Sequence, residues 1–168
     1  MTMNLKYLDV YLNDHLAGAT VGHELAKRAA SSNAGTEYGA ALSELEHEIA
    51  EDRAALVRLM ERFDIKQDRV KTTGAYIGEK LGRLKPNAHL MSYSPLSRVV
   101  ELEFLMLGVT GKFALWNALL EIEPEEDRLN RHELTVLAAR AGDQRDELER
   151  MRRKAFTETM LAPAGAAS

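Results

Sequence analysis

The chain has 168 residues, 45% of them hydrophobic, a formal net charge of −4 and no cysteine. Its length suffices for one domain with a buried core, and its hydrophobic content is too high for a disordered chain. The lack of cysteine excludes disulfides, thiolate catalysis and cysteine–zinc sites, while the mild acidity favours neither nucleic acid nor an anionic membrane.

The first half of the chain predicts a pair of long helices. Apolar residues recur at helical spacing over residues 4–30, where Asn4 can cap the first turn, and again over residues 36–63. Residues 31–35 are a short turn between them. Because so short a connection leaves little room for another arrangement, we expect the two helices to be antiparallel neighbours.

A connection of about thirty residues follows, estimated from the breaks in the periodicity. Residues 64–67 interrupt the pattern, residues 68–84 predict a shorter helix, and Pro86 ends that helix because the residue before a proline avoids the α region. Residues 89–93 are predicted to be a loop. The sequence therefore predicts a partly helical crossover between helices 2 and 3.

The second half predicts another tightly connected pair of helices. Ser94 and Pro95 suit the start of a helix that continues to residue 122. After a turn at residues 124–127, Asn130 and Glu133 have the spacing of a capping box for a helix that ends near residue 160. We expect residues 1–161 to form one helical domain and the small residues of 162–168 to form a disordered tail.

Two helix pairs joined by a long crossover resemble the ferritin-like superfamily, in which this arrangement is a four-helix bundle. The resemblance covers nearly the whole chain but rests on helix lengths and connections. It implies an all-α, antiparallel four-helix bundle with a helical crossover between helices 2 and 3. In di-iron members, two helices each supply a carboxylate and the other two each supply a Glu-x-x-His motif.

The chain departs from that di-iron pattern. Its one such motif, Glu44-x-x-His47, lies away from the apolar face of helix 2, so His47 is expected to face solvent and Glu44 to lie at the margin. Helix 4 carries Gln144-x-x-Glu147 instead and has no histidine on its inner face. These departures argue against oxidase or iron-storage activity.

Polar residues nevertheless interrupt the predicted apolar faces. His15, Asp52 and Gln144 lie within the inward faces of helices 1, 2 and 4, near mid-height, and Glu48 lies one turn before Asp52. Glu101 is expected to be buried on helix 3, but toward the start of that helix. A polar group removed from water costs a few kcal/mol unless it finds partners, so these groups are expected to meet one another or a ligand.

Helix 3 adds Glu103, which is also expected to be buried, and Lys112, which is too far along the axis to pair directly with Glu101.

Three interpretations of the polar residues stay open. The favoured one is a non-catalytic, buried polar network in which Asp52 accepts hydrogen bonds from His15 and Gln144. The second is a carboxylate–histidine site for iron or another divalent transition metal, with candidate ligands His15, Glu48, Asp52, Glu101 and Gln144. The third is an acid–base enzyme that uses His15 and Asp52, although no nucleophile or oxyanion motif accompanies the pair.

Predicted helix 3 is apolar on nearly every side, which indicates burial on every side by the crossover helix or by a second subunit. A homodimer through helix 3 or the crossover helix is therefore a hypothesis. Two sets of glycines recur every four residues, and we favour close helix packing over a ligand notch for both: Gly18 and Gly22; Gly74, Gly78 and Gly82.

The sequence offers no positive sign of a membrane or nucleic-acid partner. No stretch of about 18 apolar residues predicts a membrane span, and the N-terminus does not resemble a signal peptide, so a cytoplasmic location is expected. Two basic clusters, at residues 80–85 and 150–154, would suit an anion or a nucleic acid. Because they lack interleaved aromatics and the whole chain is acidic, we interpret them as helix-end cations instead.

Overall fold

The computed structural model describes residues 3–68 and 93–161, and these contain four long helices and no β-strand. The helices are α1 (Leu5–Ser32), α2 (Gly39–Arg62), α3 (Pro95–Ile122) and α4 (Arg131–Met160), with a short 3-10 helix (Glu123–Glu125) after α3. The all-α helical bundle is thus confirmed. The predicted crossover helix, its three glycines, the basic cluster at residues 80–85 and the tail at 162–168 lie outside the described residues.

Capping side chains explain where three of the helices begin. The Asn4 side chain accepts from the backbone N–H of Tyr7, and the Ser94 hydroxyl accepts from the N–H of Ser97. Asn130 caps α4 by accepting from the N–H of Glu133 at 2.9 Å. Each contact satisfies a backbone donor that the first helical turn leaves free. The predicted starts of α1, α3 and α4 are correct within one residue, whereas α2 begins three residues later than predicted.

The core consists of two apolar clusters, one at each end of the bundle. The lower cluster joins the first half of α1 and the second half of α2 to the end of α3 and the start of α4. The upper cluster joins the opposite halves of the same helices. It follows that α1 and α4 run in one direction and α2 and α3 in the other. Helices α1 and α3 are in direct contact, as are the two sequence-adjacent pairs.

A polar layer separates the two apolar clusters. Along α2, Asp52 lies between Ile49 of the upper cluster and Ala55 of the lower one, and Gln144 occupies the corresponding place on α4. On α3, Lys112 lies between Val109 of the upper cluster and Leu115 of the lower one. At the same level α1 has no large buried side chain, because its segment from Gly18 to Gly22 consists of small and β-branched residues. Among the described residues, no large side chain of α1 therefore covers the polar layer.

The flanks of the chain between α2 and α3 are held by two buried asparagines of α1. Asn13 donates to the carbonyl of Lys66 at 3.1 Å and accepts from the N–H of Asp68 at 2.9 Å. Asn33 donates to the Tyr93 hydroxyl at 2.7 Å. The residues that follow α2 and those that precede α3 are thus both hydrogen-bonded to α1 or to its C-cap residue, Asn33.

Helix α3 is not buried on every side as predicted. Leu107 is 64% exposed and Phe104 is 38% exposed, and the Glu103 side chain is also about half exposed, at 46%. Its outward face therefore carries apolar side chains, and only Glu101 of the two predicted acids is buried.

None of the helices in the described ranges combines the length and apolar character needed to cross a membrane.

Candidate ligand-binding cavity and buried polar cluster

Asp52 is the centre of the polar layer and is 1% exposed. One carboxylate oxygen accepts from the ammonium of Lys112, and the other accepts from the guanidinium of Arg140. Arg140 reaches outward as well and donates to Glu51 at 2.8 Å. Both oxygens of the buried carboxylate therefore have a cationic donor, which is what a buried charge requires.

Gln144 completes the cluster from α4. Its carbonyl oxygen accepts from Lys112 at 2.5 Å, and its amide nitrogen lies 2.8 Å from Glu48 Oε2 and 3.3 Å from Asp52 Oδ2. We call Asp52, Lys112, Arg140 and Gln144 the Asp52 cluster. It binds α2, α3 and α4 together at one level.

Both burial and the ion pairs with Asp52 affect the pKa values of the two cations in this cluster. Burial lowers the pKa of Lys112, and the neighbouring Arg140 cation lowers it further, against the opposing attraction of Asp52. For Arg140, burial also disfavours the charged form, but attraction and hydrogen bonds to Asp52 and Glu51 outweigh it and raise its pKa. The two cations share one buried carboxylate, and the more exposed guanidinium keeps its charge more readily.

His15 does not join the cluster. It is half-buried, its ring stacks edge-on against Tyr11 with centroids 4.6 Å apart, and it forms no hydrogen bond within the described part of the chain. Burial lowers the pKa of His15, and the nearby Asp14 only partly opposes this. The predicted partner of Asp52 on α1 is thus replaced by Lys112 and Arg140.

Glu101 belongs to a second buried cluster near the top of the bundle. It accepts from Arg28 at 2.6 Å and from the Tyr93 hydroxyl at 2.8 Å, and Tyr93 in turn accepts from Asn33. Arg98 donates to the same asparagine at 2.5 Å. We call these five residues the Glu101 cluster. As the helix heights predicted, Glu101 does not reach the level of Asp52.

The residues predicted as metal ligands therefore divide among three places. Glu48, Asp52 and Gln144 come together, His15 lies apart, and Glu101 is in the other cluster. Within residues 3–68 and 93–161, no three histidine, aspartate or glutamate side chains are grouped as metal ligands would be. His47 is 78% exposed and lies 3.4 Å from Glu51, as its place on the helical wheel predicted.

A cavity of about 450 Å³ opens beside the Asp52 cluster, between α1, α2 and α3. This volume is in the range of small-molecule sites in proteins. The wall is mostly apolar, and it also carries six charged or titratable side chains: Tyr11, Asp14, His15, Asp52, Arg53 and Lys112.

Four glycines form much of the opening, two on each of two facing helices. A Cβ atom built on Gly18 or Gly22 of α1 would meet no atom of the described residues within 4 Å, and the same holds for Gly108 and Gly111 of α3. The predicted crossover helix lies outside the described residues, so the close-packing interpretation of Gly18 and Gly22 stays a prediction. Within the described part of the chain, these glycines line the cavity.

Trp116 is one of the residues that line the cavity, and its indole nitrogen is itself buried. The side chain is 1% exposed, and its indole nitrogen has no hydrogen-bond partner among the described residues. An indole N–H can only donate, and leaving such a donor unpaired in the interior costs about 1–3 kcal/mol. The indole nitrogen is therefore an unsatisfied donor that lies beneath the surface of the cavity wall.

Sequence reasoning missed three residues of this region: Lys112, Arg140 and Trp116. The signal for Lys112 was available, because a cation in the middle of a mostly apolar helix needs a buried acid, and Asp52 is at the matching level. Arg140 lies beside the apolar face of α4, where a long side chain can reach inward while its backbone stays near the surface. No sequence pattern marks Trp116 as unpaired.

Comparison of the chain with protein-family models, with curated proteins and with solved structures finds no match.

Proposed function

We propose that this protein is a non-catalytic helical bundle that binds a small, largely apolar molecule in the cavity between α1, α2 and α3. The observation that carries the proposal is the missing layer of side chains on α1. Where the other three helices supply Asp52, Lys112 and Gln144, α1 supplies Gly18 and Gly22, and no atom of residues 3–68 or 93–161 fills their Cβ directions. Empty apolar space costs packing energy that a ligand of matching shape restores.

The Asp52 cluster supports a structural role beside this cavity rather than a catalytic one. Its acidic oxygens are both paired with cations, and His15 is not positioned by any carboxylate, so the proposed acid–base pair lacks its hydrogen bond. The acid, the two cations and the amide of this network bind one another and so fix the register of the helices around the cavity, although the buried Arg140 Nε has no partner among the described residues.

Binding can be tested with the single tryptophan as a reporter, because Trp116 lies in the cavity wall. Titration with decan-1-ol, a neutral apolar probe, should change Trp116 fluorescence and should saturate. Gly22→Leu places a side chain into the empty direction and should abolish the response. Ala118→Leu, at an exposed position of α3, adds the same bulk outside the cavity and should leave binding intact. Binding that survives both Gly22→Leu and Gly108→Leu would contradict the proposal.

The metal-site alternative stays a prediction, and the contacts give it little support. A metal ion at Asp52 would have to displace Lys112 and Arg140, and Glu48, the predicted ligand one turn away, is already bound to Gln144. Elemental analysis of the purified protein tests it directly: a stoichiometric transition metal that is lost in Asp52→Ala would support iron or a related ion.

Kinship with the ferritin-like bundles is likewise our proposal. The helix directions inferred from the two apolar clusters, together with the contact between α1 and α3, support it. We also propose a cytoplasmic protein and a homodimer through α3, where Leu96, Phe104 and Leu107 are exposed. Sedimentation of the wild type against Leu107→Lys tests the dimer, since a charge at an apolar interface should dissociate it.

A further inference from the structure

We propose that Lys112 is a covalent attachment site in the cavity between α1, α2 and α3, and that it holds an apolar aldehyde there as an imine. The proposal rests on the binding function given above and adds the chemical class of the ligand. Three features of the lysine carry it: its place in an apolar wall, the second cation beside it, and the hydrogen bonds of its ammonium.

Lys112 supplies the one primary amine among the described residues that line the cavity. It lies in the middle of α3 next to Gly111, and its side chain is only 14% exposed. Most of the surrounding wall is apolar, so burial lowers the pKa of Lys112 and favours the neutral amine. A lysine in an apolar pocket, or beside another cation, has the environment that makes its amine a nucleophile.

The second cation is Arg140, which shares the buried carboxylate of Asp52 with Lys112. When Lys112 gives up a proton, Asp52 keeps the guanidinium as its partner, and Glu48 stays bound to the Gln144 amide at 2.8 Å. A neutral Lys112 therefore does not leave Asp52 as a buried charge without a cation. The other titratable side chains of the described wall are Tyr11, Asp14, His15 and Arg53.

The hydrogen bonds of Lys112 are compatible with the neutral form. Its Nζ donates to Asp52 and to Gln144, and to no other acceptor among the described residues. An ammonium has three N–H donors, so the amine that has lost one proton still has two. It can keep both hydrogen bonds while its lone pair attacks a carbonyl carbon.

The reaction conserves charge and involves no oxidant or reductant. The lone pair of Lys112 Nζ forms a bond to the aldehyde carbon, and the aldehyde oxygen leaves as water with two of the nitrogen's protons. Ammonium plus aldehyde thus gives iminium plus water. The iminium keeps the positive charge beside Asp52 and one N–H for that carboxylate, and the apolar chain of the aldehyde occupies the apolar part of the cavity.

Decanal, which has the same chain as decan-1-ol, tests the proposal together with cyanoborohydride, which reduces an imine to a stable secondary amine. Peptide mapping by mass spectrometry should find the decyl group on Lys112 at least about tenfold faster than on the reference lysines, because the cavity holds the aldehyde beside the amine. The reference lysines are Lys27 and Lys154, whose side chains are 51% and 44% exposed. Excess decan-1-ol should protect Lys112 and leave the reference lysines unaffected.

Two variants separate the amine from the cavity. Lys112→Arg keeps a cation for Asp52 but has no primary amine, so it should still bind decan-1-ol, and its total decyl incorporation should fall to that of the reference lysines. Gly22→Leu fills the cavity and should suppress labelling of Lys112, whereas Ala118→Leu should preserve it. Circular dichroism verifies that each variant is folded.

The outcomes distinguish this proposal from the binding function. If Lys112 is labelled no faster than Lys27 while decan-1-ol still gives a saturating change in Trp116 fluorescence, the aldehyde proposal fails and the binding function stands. Labelling of Lys112 that survives Gly22→Leu also overturns the proposal, because the amine then reacts from outside the cavity. If decan-1-ol does not bind and Lys112 is not labelled preferentially, both fail.

Discussion

Lys112 on α3 donates to Gln144 on α4 at 2.5 Å while the same ammonium is bound to Asp52 on α2. One buried cation thus joins three helices, and it does so at the level where the two apolar clusters are interrupted. The arrangement is stable only while the carboxylate is charged, because Lys112 and Arg140 both depend on it. Asp52 is therefore the residue whose loss should matter most.

Replacing Asp52 with asparagine should lower the free energy of unfolding by about 3–5 kcal/mol, the usual cost of removing one partner from a buried ion pair. Asparagine keeps the size of the side chain but leaves two cations without their acid. Urea denaturation monitored by circular dichroism measures the change. Glu51→Gln is the control: Glu51 also binds Arg140, but its side chain is 51% exposed, and the loss should be at most about 1 kcal/mol.

The double variant Asp52→Asn with Lys112→Met separates charge from packing. If Asp52→Asn destabilises the protein because it leaves the Lys112 ammonium buried without an acid, then removing that ammonium should recover part of the lost stability. The changes in the free energy of unfolding caused by the two substitutions should then not be additive. Full additivity would show that Asp52 and Lys112 act independently, contrary to the contacts described above.

The sequence was sufficient to predict the elements of this fold because its start signals are local. Asn4, Ser94 and Asn130 each cap a helix with their own side chain, so the information lies within four residues. The wheel positions of Asp52 and Gln144 follow from periodicity alone, and both are buried as expected. Partner choice is different, since it depends on which helices are adjacent in space and on how far a side chain extends.

His15 illustrates that limit. Periodicity places it on the inner side of α1, and it is half-buried there, but the bundle leaves a cavity between α1 and the Asp52 cluster. Lys112 and Arg140 have longer side chains and cationic groups, and they reach the carboxylate from α3 and α4 instead. The glycines show a related limit: small residues allow either close packing or empty space, and only the neighbouring helix decides which.

Gly22→Ala and Gly39→Ala should change stability in opposite directions. At Gly22 a Cβ would meet nothing within 4 Å, so alanine should raise the free energy of unfolding by about 0.5–1 kcal/mol through its better helix propensity. At Gly39 a Cβ would lie 2.6 Å from the carbonyl oxygen of Asn33 and 2.9 Å from that of Ala34, so the backbone must shift and stability should fall. Thermal unfolding compares the two variants directly. Destabilisation by Gly22→Ala would indicate that this space is filled.

Glu101→Gln should lower the free energy of unfolding by about 1–3 kcal/mol, because a buried acceptor of a charged donor is replaced by a neutral amide. Arg28 would lose its acid, although its own partial exposure moderates the cost. Glu103→Gln on the same helix is a close control, since that side chain is 46% exposed and lies 3.6 Å from Arg152. Its effect should stay within about 0.5 kcal/mol. Equal losses in the two variants would contradict the buried role of Glu101.

Acidification should destabilise the protein partly through His15. Burial lowers the pKa of this imidazole in the folded state below its ordinary value of 6.5, while the unfolded chain retains that value. Between the two pKa values the unfolded state binds more protons, so the free energy of unfolding falls as the pH drops through this range. His15→Gln removes the titrating group and should therefore reduce the loss of stability between about pH 7.5 and about pH 5.5, the interval in which a histidine changes charge. Denaturant unfolding at both pH values measures the difference, with His47→Gln as the control for losing an exposed imidazole. An identical pH dependence in the wild type and His15→Gln would show that His15 is not held in its neutral form.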